Sequence, residues 1–346
     1  MGCCKNTVMS IQVAITVDVE FTIGGAFADP QGRSPVGEQS VECRIGGERA
    51  GLEFILESLE THRLKGVFFV EALNTCFFGD EPMGAIARRI HARGHDVQLH
   101  AHPCWTAFLD ENWQQRSAGH PPCDSFAELD TTEIARALEI GLAAFARWGL
   151  PPPRAFRAGN LQVDARIYPL LEKCGIPIAS NIGLGTYRPV DPQLCLSGGR
   201  HWIGRTLEIP VSSYTDVRLP GIRRWKTFTV IGTGGLEARQ WLHDAADVGV
   251  EPVVVLTHPA EFVHSHGSDY SNLSRNEIAR TRMRELCGFL ARHPREFEVV
   301  TFADSANSWM AKPGTANPHW HASALARILR IVENRAGGPR RAHDHG

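Results

Sequence analysis

Short apolar runs alternate with longer segments of helical periodicity along most of the chain. The runs are rich in Val, Ile and Phe, as buried strands are. They predict strands at residues 13–17, 66–70, 96–99, 155–157, 176–179, 207–211, 228–231, 253–257 and 297–301. Such alternation predicts parallel strands with helices outside them, in one continuous α/β domain.

Two of the helical segments begin with a capping signal. Asp-Thr-Thr-Glu at 130–133 has the pattern of a capping box and predicts a helix to Trp148, where Gly149 and Pro151 end it. Ser-Arg-Asn-Glu at 274–277 has the same pattern and predicts a helix to about His293. We therefore expect both segments to lie outside the sheet.

Composition and charge narrow the class of protein. The 346 residues are 43% hydrophobic, enough for a substantial core, and the 38 acidic and 36 basic residues nearly balance. That balance gives no sign of nucleic-acid or anionic-membrane binding. The nine cysteines include no Cys-x-x-Cys pair, which favours reduced thiols. Without a signal-like apolar region or a membrane-length run, we expect a cytoplasmic protein with no integral membrane segment.

Two strand-like runs end on paired ligand-type residues. Asp18 and Glu20 end the first predicted strand, and His100 and His102 end the third. Side chains alternate across a strand, so each pair shares one face. Two carboxylates and two imidazoles suit a divalent ion such as zinc, and a carboxylate that is not a ligand can act as a base. The two segments together predict a metal-dependent hydrolytic site, although each pair alone also has an ordinary structural explanation.

Other polar residues follow predicted strands in the same way. Arg157 and His258 come at or just after strand ends, where active residues gather in parallel barrels and sheets. The segments 21–50, 103–129 and 181–205 are too long for compact turns, and the first two follow the ligand pairs. We expect those two to wall a substrate groove, in which Trp105 and Asn160 are candidate substrate-binding residues. Trp105 can stack on a sugar ring or pack beneath its own loop.

Four motifs follow one another along the chain: Thr-Val-Asp at 16–18, Gly-His-Asp-Val-Gln-Leu-His at 94–100, Phe-Arg-Ala-Gly at 156–159 and Leu-Thr-His at 256–258. Their order resembles the polysaccharide deacetylase superfamily, also called the NodB-homology or carbohydrate esterase family 4. The resemblance covers roughly residues 11 to 305, with supporting segments at 66–71 and 299–302, and implies a distorted (β/α) barrel. We expect one catalytic domain over residues 11–335, between an N-terminal extension (1–10) and a disordered tail (336–346).

The resemblance also implies a role for each matched residue. Asp18 matches the catalytic base, Arg157 the arginine that orients it, His100 a metal ligand and His258 the general acid. The implied reaction removes an N- or O-acetyl group from an amino sugar or glycan with a divalent metal, for which we expect Zn²⁺. Arg157 as a structural salt bridge and His258 as a capping histidine are the alternatives.

Two departures from the family pattern leave the metal ligands open. The family has a second acid directly after the base, where this chain has Val19, so Glu20 is the expected replacement and exchange of its role with Asp18 remains open. The second histidine normally lies four residues after the first, where this chain has Cys104. His102 is the expected replacement, with the Cys104 thiolate as the alternative.

The same departures favour two other functions on this fold. One is hydrolysis of a cyclic amide or ureide, and the other is carbohydrate binding without catalysis. The shape of the groove distinguishes an open glycan cleft from a closed pocket for a small ring. The sequence specifies no oligomeric state.

Overall fold

The computed structural model describes residues 10–117, 120–219, 222–248 and 250–336. Apart from residues 10 and 336, the predicted N-terminal extension and tail lie outside the described residues. The helices α1–α11 are Glu38–Glu42, Leu52–Glu60, Thr75–Phe78, Glu81–Ala92, Trp113–Ser117, Thr131–Arg147, Ile167–Lys173, Gly235–Val248, Glu277–Arg292, Phe302–Met310 and Ala324–Ala336. The strands β1–β15 are Ile11–Val19, Arg44–Ile45, Glu48–Arg49, Val67–Glu71, Asp96–Ala101, Ala155–Ala158, Ile178–Ala179, His201–Ile203, Thr206–Glu208, Ser213–Leu219, Ile222–Thr227, Val253–Thr257, Val263–Ser265, Leu273–Arg275 and Phe297–Val299.

Nine of these strands form one curled, mainly parallel sheet. Their order is β12-β1-β4-β5-β6-β7-β9-β8, with β15 also paired to β1, and only β8 runs antiparallel to its neighbour. Backbone hydrogen bonds from Ser212 to Val254 and from Val230 to Leu256, each 3.0 Å, connect β12 to the segments that follow β9 and β11. The sheet therefore curls into the distorted barrel that the family resemblance implies.

The predicted strand at 228–231 is wrong in extent. This segment makes one parallel bridge, from Thr229 to Leu256. The chain then turns at once, because the Thr233 amide donates to the Thr229 carbonyl at 3.0 Å. One bridge on the edge of β12 is all that the turn allows.

The first predicted capping box is confirmed and the second is wrong. The Asp130 side chain accepts from the backbone amides of Thr132 and Glu133, and the Glu133 side chain accepts from the Asp130 amide. Ser274 instead lies in β14, which pairs with β13, and Asn276 caps α9. The antiparallel hairpin β10–β11 and the terminal helix α11 had no counterpart among the sequence predictions.

The strands bury different side chains on their two faces. On β1, Val13, Ile15 and Val17 pack in the larger apolar cluster shared with the helices, whereas Ala14 belongs to a second cluster inside the barrel. Phe302 of α10 packs in that inner cluster too. Residues of the same parity as Ala14 therefore face the barrel interior.

The long segments contain local structure of their own. Residues 21–50 include α1, β2 and β3, and residues 103–129 include the 3₁₀ turn Pro103–Leu109 and α5. The seven cysteines of the described range are all free thiols. None of the described helices is both long enough and apolar enough to cross a membrane.

Candidate active site

Polar side chains replace apolar ones at the carboxyl ends of the barrel strands. The sequence predicts several of these polar residues at the strand ends, and closure of the barrel brings them close to one another. They are Asp18 on β1, Glu71 on β4, His100 on β5, Arg157 on β6 and His258 directly after β12. By strand alternation, each has the inward parity of its strand. The fold thus gathers residues that lie far apart in the sequence.

Asp18 and Arg157 form an ion pair inside the barrel. Arg157 Nη1 donates to Asp18 Oδ1 at 2.7 Å and to Thr16 Oγ1 at 2.9 Å. Its Nε and Nη2 donate to the Ser180 carbonyl and hydroxyl, and the guanidinium stacks 4.1 Å from the Phe69 ring centre. Arg157 is fully buried. With several contacts fixing the arginine, the Asp18 carboxylate is held in one orientation.

Glu20, His100 and His102 bring three potential ligand atoms together. Glu20 Oε2 lies 3.1 Å from His100 Nε2 and 2.8 Å from His102 Nε2. The three atoms all lie within 4.8 Å of one another, which suits a single divalent ion. The charge and hydrogen bond of His102 hold the Glu20 pKa well below its usual value, although burial acts in the opposite direction.

The other nitrogen of each histidine is already engaged, as in many metal sites. His100 Nδ1 lies 2.9 Å from the Arg157 carbonyl, and His102 Nδ1 lies 2.8 Å from Asp124 Oδ2. The carbonyl and the carboxylate are acceptors that hold the Nδ1–H of each ring, so Nε2 is the nitrogen that faces Glu20. A metal bound here would take the place of the hydrogen bonds between Nε2 and Glu20, so this donor set fits a metal.

The backbone at Gly159 approaches the His102 ring closely. A Cβ atom on Gly159 would lie 2.4 Å from His102 Nδ1, so a larger residue there would force the ring or the loop to move. The next two residues, Asn160 and Leu161, have left-handed φ angles of 54° and 56°. Asn160 Nδ2 donates to Asp124 Oδ2 at 2.9 Å. Asn160 therefore contacts the carboxylate behind His102, and its substrate-binding role stays a prediction.

His258 directly follows β12, which pairs with β1 on the side opposite β4 and β5. Its Nε2 is 3.9 Å from Asp18 Oδ2, while its Nδ1 is 3.0 Å from Glu261 Oε1. Thr257 Oγ1 donates to the other Glu261 oxygen at 2.6 Å. Burial opposes protonation of His258, but the hydrogen bond and charge of Glu261 outweigh it, with help from Glu20 and Asp18, and raise the His258 pKa to about 9. The imidazolium is thus the favoured form at neutral pH.

Glu71 anchors the backbone beside the histidines. It is fully buried, and its two oxygens accept from the amides of Leu73 and His102, each at 2.6 Å. Burial raises the Glu71 pKa to about 8, and the nearby Glu20 charge acts in the same direction. This contact fixes the chain where β5 ends and His102 leaves the sheet.

Two residues that the sequence analysis considered for the site, Trp105 and Cys104, are buried. Trp105 is 1% exposed and packs against Phe78 and Phe108, which leaves no open ring face for a sugar. Its packing beneath the loop is the alternative that the structure supports. Cys104 is buried and is not one of the three clustered ligand residues, and burial together with Asp124 raises its thiol pKa well above the usual value.

Three site residues were missed by sequence reasoning. Glu71 ends an apolar strand just as Asp18 does, and Glu261 lies one helical turn after His258, so both carried a usable signal. Asp124 carried no such signal in the sequence, because it lies in an irregular segment whose path depends on the fold.

No protein-family model and no curated protein matches the sequence. Solved structures do match over nearly the whole chain. A Mycobacterium smegmatis protein classed as a polysaccharide deacetylase has a TM-score of 0.53 and 17% identity over 92% of this chain and 96% of its own. That likeness shows a shared fold and confirms the fold class predicted from the motifs.

Two further structures are similar at lower TM-scores. The Xyl-CE4 domain of a multidomain xylanase from the Trinervitermes trinervoides hindgut metagenome has a TM-score of 0.43 and 12% identity, covering 92% of this chain and 99% of that domain. A family 4 acetyl xylan esterase from Clostridium thermocellum has a TM-score of 0.42 and 14% identity, covering 91% of this chain and all of that one.

Proposed function

We propose that this protein is a metal-dependent hydrolase that removes an acetyl group from an amino sugar or another carbohydrate. The main support for this proposal is that a cluster of potential metal ligands and a buried ion pair lie together at the carboxyl ends of the barrel strands. Glu20 Oε2 and the two histidine Nε2 atoms form a ligand cluster, and the buried pair of Asp18 and Arg157 lies beside it. A base, an acid and a metal site that lie close together can hydrolyse an unactivated acyl bond with water.

Glu20, His100 and His102 are the residues that would hold the ion. Two imidazoles and one carboxylate form the three-ligand set of catalytic zinc sites, so Zn²⁺ is the proposed metal. When bound, the ion supplies Lewis-acid stabilisation of the negative charge that develops on the acyl oxygen. Asp124 keeps His102 in the tautomer that presents Nε2, and the Arg157 carbonyl does the same for His100.

Asp18 is the proposed general base. Arg157 occupies Oδ1, which leaves Oδ2 free to take a proton from the attacking water. The oxygen of that water then bonds to the acyl carbon.

His258 is the proposed general acid. Glu261 holds Nδ1 and favours the imidazolium, so the Nε2 proton is available to the leaving group. As the bond between the acyl carbon and the leaving nitrogen or oxygen breaks, Nε2 protonates that atom. Acetate and the free amine or alcohol are the products; the proton on Asp18 and the proton that acetic acid loses pass to solvent, and His258 takes up one proton from solvent to restore its acid form.

Metal analysis and an acetate-release assay on the same preparation test this proposal. We expect a stoichiometric divalent ion, acetate release from acetylated sugars, and loss of both after chelation. Cyclic amides and ureides belong in the same panel. Turnover of those rings with no acetate release from sugars would reject the deacetylase assignment, and binding of acetylated sugars with no turnover of any substrate would indicate a non-catalytic protein.

A further inference from the structure

The terminal helix α11 presents its apolar side chains outward. Of the nine large apolar side chains exposed in the described part of the chain, five lie on this helix. Leu325, Ile328, Leu329 and Val332 are 60, 57, 40 and 58% exposed. Their spacing of i, i+3, i+4 and i+7 places them within about 100° of the helix circumference, so they form one continuous stripe. We call these four residues the α11 stripe.

The side of α11 that packs on the protein is largely polar, with Ala326 as a buried apolar residue on it. Arg330 is buried between Asp216 and Glu237, and its Nη2 lies 2.7 Å from Asp216 Oδ1. Glu333 accepts from Arg282 Nη2 at 2.7 Å. Ion pairs thus fix the orientation of the helix and keep the stripe turned toward solvent. This arrangement is the reverse of an ordinary surface helix, whose apolar side faces the core.

The stripe matches itself when two helices run antiparallel. A two-fold axis between positions 328 and 329 brings Ile328 of one copy against Leu329 of the other, and Leu325 against Val332. Such a contact is isologous, the commonest symmetry of soluble oligomers. The exposed Arg335 side chains then lie at opposite ends, about 20 Å apart along the helix direction, which avoids like-charge repulsion at the centre.

Two other partners for the α11 stripe, the segment after the helix and a membrane surface, match its chemistry less well. The ten residues after the helix, 337–346, contain no Val, Ile, Leu, Met or aromatic residue, so that segment cannot cover the stripe with apolar side chains. A helix that lies on an anionic membrane usually carries Trp or Phe beside its aliphatic residues and a row of free basic residues. The stripe has no aromatic residue, and the basic residue Arg330 is held in buried ion pairs.

We propose that the α11 stripe is the centre of a two-fold contact with a second copy of this chain. Four side chains are fewer than a stable interface of roughly 800 Å² per partner uses, so neighbouring surface must contribute and the dimer should be concentration-dependent. Pairing would remove the stripe from water without any change in the fold of either copy.

Sedimentation of the full chain across a wide concentration range tests the contact. We expect the mass to rise from the 38.1 kDa of one chain to twice that value as concentration increases. Ile328→Asp and Leu329→Lys should each give monomers, because each buries an unpaired charge opposite an apolar side chain. An equimolar mixture of these two variants should recover dimers, since position 328 of one copy faces position 329 of the other.

Val190→Asp is the matched control, because Val190 is 94% exposed and lies far from α11 in sequence. This variant should dimerise like the wild type, and thermal melts should show all variants folded. A wild type that stays monomeric at every concentration would overturn the proposal, as would failure of the mixture to recover dimers. Sedimentation of a monomeric wild type with phosphatidylserine-containing vesicles would assign the stripe to a membrane instead.

Discussion

Asp18 and Arg157 meet inside the barrel at 2.7 Å although 139 residues separate them in the chain. Asp18→Asn should lower kcat by about 10²–10⁴-fold, because it removes the proposed base. It should also destabilise the fold by about 3 kcal/mol, since it leaves the buried guanidinium without its counter-charge. Acetate-release kinetics and chemical denaturation measure the two effects.

The exposed pair of Asp164 and Arg166 supplies the control for this prediction. Asp164→Asn should change stability far less than Asp18→Asn and leave kcat unchanged. Arg157→Lys retains the charge but loses the planar fork, so its kcat should also fall strongly. Full activity in Arg157→Lys would show that charge alone matters at this position.

The second prediction concerns metal content. His100→Ala and His102→Ala should each lose the bound ion, because each removes one Nε2 atom from the three-ligand cluster. Cys104→Ala and the exposed-site control His91→Ala should retain it. Elemental analysis of purified protein measures this. Metal loss in Cys104→Ala with metal retained in His102→Ala would reverse the ligand assignment.

The third prediction concerns Asp124, which lies behind His102. Asp124→Asn should weaken metal binding by about 10–100-fold, because the amide is a poorer acceptor for His102 Nδ1–H. Competition with a chelator measures the affinity, and a thermal melt checks the fold. Asp110→Asn in the same long segment should bind normally, since Asp110 pairs with the exposed Arg116. Equal affinities in the two variants would remove Asp124 from the metal site.

The fourth prediction concerns pH. The raised His258 pKa of about 9 means that the acid form is present below that pH and is lost as the pH rises through it. Activity on an amide should therefore fall above about pH 9. Glu261→Gln removes the stabilising charge, lowers the His258 pKa, and should move this fall to lower pH.

An activated aryl ester is the informative second substrate, because its leaving group departs without a proton. On that ester, Glu261→Gln and His258→Ala should lose far less activity than on the amide. Glu57→Gln on the exposed side of α2 should leave both profiles unchanged. An unshifted amide profile in Glu261→Gln would exclude control of the acid by this carboxylate.

The fifth prediction uses the tight approach between Gly159 and His102. Gly159→Ala places a Cβ atom where the ring of His102 lies, so the ring must move. We expect metal affinity to fall while His100 and the barrel remain in place. Chelator competition and circular dichroism measure the two properties. Unchanged affinity would mean that the loop relaxes away from His102.

Sequence periodicity alone predicted most of the strands of the sheet and the strand ends that carry the candidate site, whereas the barrel was implied by the family resemblance. Period-two alternation placed Asp18 with Glu20 and His100 with His102, because a strand leaves no other choice of face. The capping box at Asp130 could be predicted for a similar reason, since its hydrogen bonds join residues close in sequence. Each of these features depends on neighbours within a few residues.

Only the tertiary structure shows which partners the four metal-site candidates contact. The spacing alone does not distinguish Asp18 from Glu20, but barrel closure places Arg157 beside Asp18 and the two histidines beside Glu20. Asp124 reaches His102 through an irregular loop, and α11 turns its apolar side outward because ion pairs distant in sequence hold it. These relationships depend on how separate segments meet, which local patterns do not encode.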